Sequence, residues 1–242
     1  MLAADASGAW FISGDLHGKA LLTHLLAGAG GKREYRLDQT PSGVAVGKGA
    51  VWVVGRGTND YQVLRIDPTT ARVTARTRFP ASSPVDSIAV GHGFVWIVGS
   101  ADATLYRINP RTAKRAGHVT LGYPPITRPQ LTSYGEKLVN VGYTTTWGSG
   151  ASVDPSSLTY YDNGCSCQPH WGENASAFGS WWFDDWPTGS VYRQWAADGD
   201  TRQIAVTENV PVGRGPCLTS MAIGGGSFWV TVAPSVNYTC IR

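Results

Sequence analysis

The chain is poor in charge. Lys, Arg, Asp and Glu make up 15% of its 242 residues, against roughly 25% in an average soluble domain. The balance is only +3 at neutral pH, and no run of five basic residues occurs. The concentrated positive footprint that a nucleic-acid partner requires is therefore missing. No apolar run approaches the roughly 18 to 20 residues that span a bilayer as a helix. The longest near-apolar stretch, Ala20 to Gly31, is interrupted by Thr23 and His24 and reads as a strand and turn. The opening Met1-Leu-Ala-Ala-Asp has neither the basic start nor the apolar core of a secretory leader. Helix-period stretches rich in Ala, Leu, Glu and Lys are absent, as are a phosphate-binding loop, a dinucleotide fingerprint and a Ser-His-Asp frame. Gly224-Gly-Gly-Ser falls in a hairpin turn, not between a strand and a helix.

What the chain has is glycine (30), proline (14), and ten each of tryptophan and tyrosine, with 42% hydrophobic residues. That composition favours strands and tight turns in a globular core. It also has a repeat. Ser42-Gly-Val-Ala-Val-Gly-Lys-Gly-Ala-Val-Trp-Val-Val-Gly and Asp86-Ser-Ile-Ala-Val-Gly-His-Gly-Phe-Val-Trp-Ile-Val-Gly are two copies of one segment. The first continues to Leu64-Arg-Ile-Asp-Pro-Thr-Thr-Ala, the second to Tyr106-Arg-Ile-Asn-Pro-Arg-Thr-Ala. The same frame places Trp10, Trp52, Trp96, Val139, Trp182 and Trp229 in register, separated by 42, 44, 43, 43 and 47 residues. A period in that range marks a repeat architecture.

Each unit reads as four strands. A short apolar strand A (Gly43–Val46, Ser87–Val90) leads through Gly-x-Gly to a β-branched and Trp-bearing strand B (Ala50–Val54, Phe94–Val98). A polar loop precedes strand C, which ends in Ile-Asp-Pro, Ile-Asn-Pro or Val153-Asp-Pro, a tight turn in which Asp or Asn folds back on the backbone. Strand D (Arg72–Phe79, Lys114–Leu121) is the more polar outer edge. The period inside a unit is two rather than 3.6, which excludes helical repeats. Four-stranded sheets packed face to face around an axis bury both apolar faces. The expectation is a single all-β domain, a β-propeller of about six four-stranded antiparallel blades over residues 1–39, 40–82, 83–125, 126–169, 170–214 and 215–242. The last blade is expected to be incomplete or closed by the N-terminus. The Trp-Asp ending of WD40 blades is absent.

The repeat Gly-x-Gly-x-Val-Trp-Val, Leu-x-Arg-Ile-Asp-Pro-x-Thr, Pro-x-x-Ile-Ala-Val-Gly resembles that of the YVTN and streptogramin-lyase-like (virginiamycin B lyase-like) propellers. Blades 2 and 3 carry it fully. Gly8-Ala-Trp-Phe-Ile-Ser-Gly and Ser227-Phe-Trp-Val-Thr-Val carry part of it, and blades 4 and 5 only the spacing. The resemblance implies a propeller fold and, since many such domains are exported or membrane-anchored bacterial sensor or interaction modules, a binding role outside the cytoplasm. Lyase members use a His base and metal-held Glu at the channel mouth, and lactonase-like propellers hold a divalent cation with Glu, Asn and Asp. Neither set can be matched here position by position; the late blades offer only Glu173 and Glu208.

In a propeller the B–C loops and D–A connections gather on one channel face, the usual place for ligands. The frame puts there Asp15, His17, Asn59, Asp60, Asp102, Asp184 and Asp185 from B–C loops, and Arg128, His170, Glu173 and Arg214 from D–A connections. Trp147, in the longer loop of blade 4, is a further candidate contact. Trp181-Trp-Phe-Asp-Asp-Trp186 could stack a sugar or hold a cation such as Mg or Ca. The competing account is that Trp182 is the core Trp of its blade and that polar loops meet water because they must.

The four cysteines, Cys165, Cys167, Cys217 and Cys240, read as disulfide partners, with three pairings open. A Cys165–Cys167 bridge is awkward in an extended strand, where alternate Cα atoms lie about 6.5 Å apart. Cys217 with one of that pair is an alternative. Cys165-x-Cys167-x-x-His170 has zinc-ligand residue types but no evident fourth ligand. The functional expectation is a monomeric, non-catalytic sensor or interaction module, extracellular or on the cell surface, for a small-molecule, glycan or protein ligand. It needs no cofactor unless a divalent cation binds. The alternative is a metal-dependent lyase or lactonase built from His17, His170, Glu173 and the Asp184/Asp185 pair.

Overall fold

The computed structural model describes residues 2–14, 20–28, 31–122, 127–134, 138–144, 149–165, 171–177, 180–185, 190–195, 201–204, 217–224, 227–233, 235–236 and 239–240. Among these residues every regular element is a strand, and no helix is long and apolar enough to cross a membrane.

Five sheets are antiparallel four-stranded meanders. The first is β1 (Leu2–Asp5), β2 (Gly8–Gly14), β3 (Ala20–Leu26) and β4 (Lys32–Arg36). The second is β5 (Thr40–Gly47), β6 (Ala50–Arg56), β7 (Asp60–Ile66) and β8 (Val73–Pro80), and the third β9 (Val85–Gly91), β10 (Phe94–Gly99), β11 (Thr104–Ile108) and β12 (Arg115–Thr120). The fourth holds β13 (Thr127–Tyr134), β14 (Leu138–Thr144), β15 (Ser149–Val153) and β16 (Tyr160–Cys165), and the fifth β17 (Trp171–Ala177), β18 (Ser180–Asp185), β19 (Ser190–Trp195) and β20 (Thr201–Ile204). The sixth blade shows β21 (Cys217–Gly224) paired with β22 (Ser227–Ala233), followed by a small hairpin, β23 (Ser235–Val236) and β24 (Thr239–Cys240).

The first strand of each blade packs on that of the next: β1 on β5, β5 on β9, β9 on β13, β13 on β17, β17 on β21, and β21 back on β1. Among the described residues these contacts link six blades around one axis, the arrangement of a β-propeller. β1 pairs with β2 in its own sheet, and the ring closes by side-to-side packing of β21 on β1.

The alternation of side chains along strand B drives this packing. Val51 and Val53 face the first blade together with Leu64 and Ile66, while Trp52 and Val54 face the third. One repeat later, Val95 and Ile97 turn back to the second blade, and Trp96 and Val98 turn forward to the fourth. Trp10, Trp52 and Trp96 are fully buried, each worth roughly 3 kcal/mol in area removed from water. The indoles of Trp52 and Trp96 donate from Nε1 to the carbonyls of Gly47 (3.2 Å) and Gly91 (3.0 Å), tying strand B to the hairpin that precedes it. Those hairpins turn at Lys48-Gly49 and His92-Gly93, both residues of each pair having positive φ, the pattern of a type I′ turn.

The C–D turns repeat down to single hydrogen bonds. Asp67 Oδ1 accepts the N–H groups of Thr69 and Thr70, both at 2.8 Å. Asn109 does the same for Arg111 and Thr112, and Asp154 for Ser156 and Ser157. Four residues on, Ala71, Ala113 and Leu158 return an N–H to the carbonyl of that Asp or Asn and sit at φ 54°, 53° and 60°. Side chains at such a φ are unusual, and what they touch explains them. Ala113 lies in the core shared with the second blade, and the hydroxyl of Thr77 donates to its carbonyl. Leu158 packs into the core between the third and fourth blades, over Gly117, where a Cβ would lie 2.8 Å from Leu158 Cδ1. In these two turns the strained residue plugs the seam to the preceding blade.

Two outcomes follow. Leu158→Gly should relieve about 1 kcal/mol of backbone strain but forfeit roughly 2 kcal/mol of packing. It should lower the thermal midpoint, whereas Ala71→Gly, at a shallower site, should leave it unchanged or higher. Second, the backbone donors hold the Asp67 and Asp154 carboxyls below the ordinary aspartate value. That stabilisation is complete above the ordinary value of about 4 and is lost as pH falls through it toward the depressed folded values. Thermal midpoints measured across acid pH should fall less steeply for a Asp67→Asn/Asp154→Asn double variant than for the wild type.

Candidate functional site

Strands C and D of each blade lie at the circumference, and their faces toward the preceding blade line a seam. In the second blade this seam is filled. Gln62 donates from Nε2 to Asp60 Oδ1 at 2.5 Å, Arg78 reaches Asp60 Oδ2 at 2.6 Å, and Arg76 bridges Gln62 Oε1 and Asp38, the latter at 2.8 Å. The Gln62 hydrogen bond first, then Arg78, holds the Asp60 carboxyl below its usual range.

One repeat on, at an offset of 42 residues, Asp102 stands for Asp60, Thr104 for Gln62, Tyr106 for Leu64, His118 for Arg76 and Thr120 for Arg78. Two long side chains have become threonines, and the seam opens. The result is a groove of about 370 Å³ walled by Asp102 in the turn before β11, by Thr104 and Tyr106 on β11, and by Arg115, Gly117, His118 and Thr120 on β12. Its volume lies at the small end of the ligand-site range.

The groove is pre-set by its own contacts. Tyr106 donates its hydroxyl to Asp102 Oδ2 at 3.0 Å, and the Thr104 N–H donates to Asp102 Oδ1 at 3.2 Å. Phe79 of the second blade meets the Tyr106 ring edge-on, centroids 5.0 Å apart. The Arg115 guanidinium lies 4.2 Å over Phe79 and 5.6 Å from the Tyr106 ring, and donates from Nη2 to the Arg78 carbonyl at 2.6 Å. His118 lies beside Tyr106, centroids 6.1 Å apart, and is exposed. The site has a carboxylate at one end, a guanidinium at the other, a tyrosine floor between them, and an imidazole and two hydroxyls on the walls. Such a set can hold a polar ligand by hydrogen bonds and charge. Among the described residues no group of three His, Cys, Asp or Glu stands ready for a metal ion.

Of the residues expected at the channel face, Asn59, Asp60 and Asp102 are described with their side chains. Asn59 is exposed in its loop, Asp60 is held by Gln62 and Arg78, and Asp102 belongs to the groove. Backbone positions are described for Arg128 in β13, Glu173 in β17, and Asp184 and Asp185 at the end of β18; Asp185 pairs with Trp171. Asp15, His17, Trp147, His170 and Arg214 lie outside the described residues. Cys165, Cys217 and Cys240 fall in β16, β21 and β24, while Cys167 lies outside the described residues. Sequence reasoning missed Tyr106, Arg115, His118 and the two threonines because it looked to loops. The available signal was the replacement of Gln62 and Arg78 by threonine between two otherwise close copies.

No family model matches the chain, and no curated protein does. Solved structures match it in fold. A catalytically inactive virginiamycin B lyase from Staphylococcus aureus, solved with quinupristin, is 15% identical with a TM-score of 0.62, over 96% of this chain and 76% of that one. A chain of the nidogen/laminin complex is 13% identical with a TM-score of 0.60, over 91% and 82%. The Pan2 WD40 domain of Neurospora crassa is 9% identical with a TM-score of 0.60, over 97% and 71%. At these identities the likeness is one of architecture: the resemblance read in the repeat is found again in three dimensions, as a propeller.

Burial first, and then the hydrogen bond to Asp102, push the Tyr106 phenol above its ordinary value. Its contribution to stability is complete below the free phenol value of about 10 and is lost as pH rises toward the folded one. Ultraviolet titration should show one tyrosine ionising late, and earlier in Asp102→Asn. Tyr106→Phe should cost about 1 kcal/mol in denaturant unfolding at neutral pH.

Proposed function

We propose that this propeller is a binding module of sensor or interaction type, and that it holds a polar ligand in the groove between its second and third blades. The observation that carries this reading is the contrast between two equivalent seams. The second blade closes its own with a Gln62, Arg76 and Arg78 network, while the third leaves the same place open and rigidly furnished. Pre-organised donors and acceptors beside an aromatic floor lower the cost of ordering a ligand. The fold neighbours include one solved with a small molecule and one in a protein complex, and a groove of this kind suits either class. Display outside the cell is part of the proposal. It is supported by the even cysteine count and by the high Trp and Tyr content beside a low share of charged residues.

A thermal-shift screen of sugars, amino acids, short peptides and divalent cations tests it. A ligand of the groove should raise the midpoint of the wild type by a few degrees at concentrations well above its Kd. The shift should vanish in His118→Ala and Arg115→Gln, both exposed positions whose replacement leaves the core intact. Stabilisation by a divalent cation that both variants retain would overturn the reading in favour of chemistry at the channel mouth.

A further inference from the structure

We propose that the outer edge of β12 takes up an extended, acidic segment of a partner protein by strand addition, with one carboxylate side chain of that segment seated in the groove. The proposal rests on the groove being a binding site and adds what fills it.

Four of the residues that line the groove, Arg115, Gly117, His118 and Thr120, come from β12, the terminal strand of its sheet. Anything held there lies alongside a sheet edge. The direction of the edge groups follows from the register. Leu121 donates its N–H to the Ala103 carbonyl at 2.8 Å, and the pairs that follow are Thr120 with Thr104, Val119 with Leu105, His118 with Tyr106 and Gly117 with Arg107. Hydrogen-bonded and non-bonded pairs alternate in an antiparallel ladder. The inward-bonding residues are therefore Val119 and Gly117, and the N–H and C=O groups of His118 and Thr120 point away from β11 to the outside.

Outer edges are normally defended by charge or proline. β4 is Lys-Arg-Glu-Tyr-Arg, and β8 carries Arg76, Arg78 and a terminal Pro80. Past its bulge, β12 runs Gly117-His118-Val119-Thr120 with no formally charged side chain. It is the least defended edge of the three blades whose outer side chains are described.

Residues opposite one another across an antiparallel pair share a face. A guest residue opposite His118 would therefore turn its side chain to the groove side, where Arg115 has donors beyond the one given to Arg78. The one carboxylate of the groove, Asp102, already accepts from Tyr106 and Thr104. The charge left to satisfy is positive, and an acidic guest complements it. Backbone pairing would supply affinity and the groove would supply specificity.

The probe is a capped eight-residue peptide of alternating Thr and Val with a central Glu, compared with its Gln and Lys counterparts. Hydrogen exchange resolved by residue should show the His118 and Thr120 amides slowed at least tenfold by the Glu peptide at saturation. The Gln peptide should bind roughly tenfold more weakly, the scale of one charge-assisted hydrogen bond. Thr120→Pro removes an outward N–H at an edge position where proline is tolerated; it should abolish binding while the circular dichroism spectrum is unchanged. Arg115→Gln, which spares the backbone, should bind Glu and Gln peptides alike and keeps the test decisive should the proline variant misfold. A Lys peptide that binds as well as the Glu peptide, no change in the two amides, or full binding by a folded Thr120→Pro would each overturn the proposal. So would concentration-dependent protection without peptide, which would make the occupant a second copy of this chain. Failure of the peptides while a small ligand still loses its thermal shift in His118→Ala would remove strand addition and leave the groove reading standing. Failure of both would remove both.

Discussion

A four-stranded meander whose strand B is apolar on both faces cannot be stable alone. Val51 and Val53 on one side, Trp52 and Val54 on the other, would leave one large hydrophobic surface in water whichever way the sheet packed. The sheet needs a neighbour on each side, and an open row of such sheets still leaves two ends bare. A ring has no ends. The contact of β21 with β1 completes it, and six copies of one segment reach a state no single copy could hold. The scarcity of charge has the same origin, because in each blade both faces of the inner strands are spent on neighbours, and ionised groups are left to turns, loops and outer strands.

Within that ring the local chemistry is redundant in a useful way. The type I′ hairpins fix the start of strand B, and the indole bond to the hairpin carbonyl fixes its tryptophan. The Asp or Asn of each C–D turn fixes the reversal into strand D. The hairpins and the C–D turns were readable because each rests on residues adjacent in the chain: Lys48-Gly49, Ile66-Asp67-Pro, Asn109-Pro. The left-handed Ala71, Ala113 and Leu158 were not readable, since nothing local asks for a side chain at that φ. For Ala113 and Leu158 the reason lies across a seam, in the preceding blade. The first blade departs again. Trp10 stacks on His24 at 3.7 Å, its Nε1 has no hydrogen-bond partner among the described residues, and burial leads in pushing the His24 imidazole below its ordinary value. In that register position the next two blades carry Arg65 and Arg107. The frame is shared, while the residue facing the tryptophan is not.

The candidate site was less legible than the fold, and the reason is geometric. Polar residues on loops draw attention because loops commonly carry function, yet a loop carboxylate is also the ordinary partner of its own turn. Asp60, at the start of β7, is likewise taken up by its own blade, through Gln62 and Arg78. The groove arises from strand positions where each residue is unremarkable. Thr104 and Thr120 are good strand formers, and Tyr106 could have been core. What makes a site of them is the length of side chain missing relative to Gln62 and Arg78, a difference that emerges only when one blade is laid over another.

That difference also explains why variation of this kind is tolerated. Strands A and B have a neighbour on each face, so a change of volume at any position there disturbs a packed seam. Strand D has a neighbour across its sheet on one side only, and its far edge meets solvent. Exchanging Arg78 for Thr120 there costs the fold an exposed ion pair, worth little in water, and opens a cavity that polar groups already line. The outer flank of a blade is therefore the part of this architecture most free to differ between copies. Edge exposure, the feature that makes strand D a hazard for unwanted pairing, is also what makes it reachable by a ligand. Among the three blades whose outer side chains are described, the third has given up that defence beside an open groove. The physical gain on offer there is access to a row of backbone donors and acceptors.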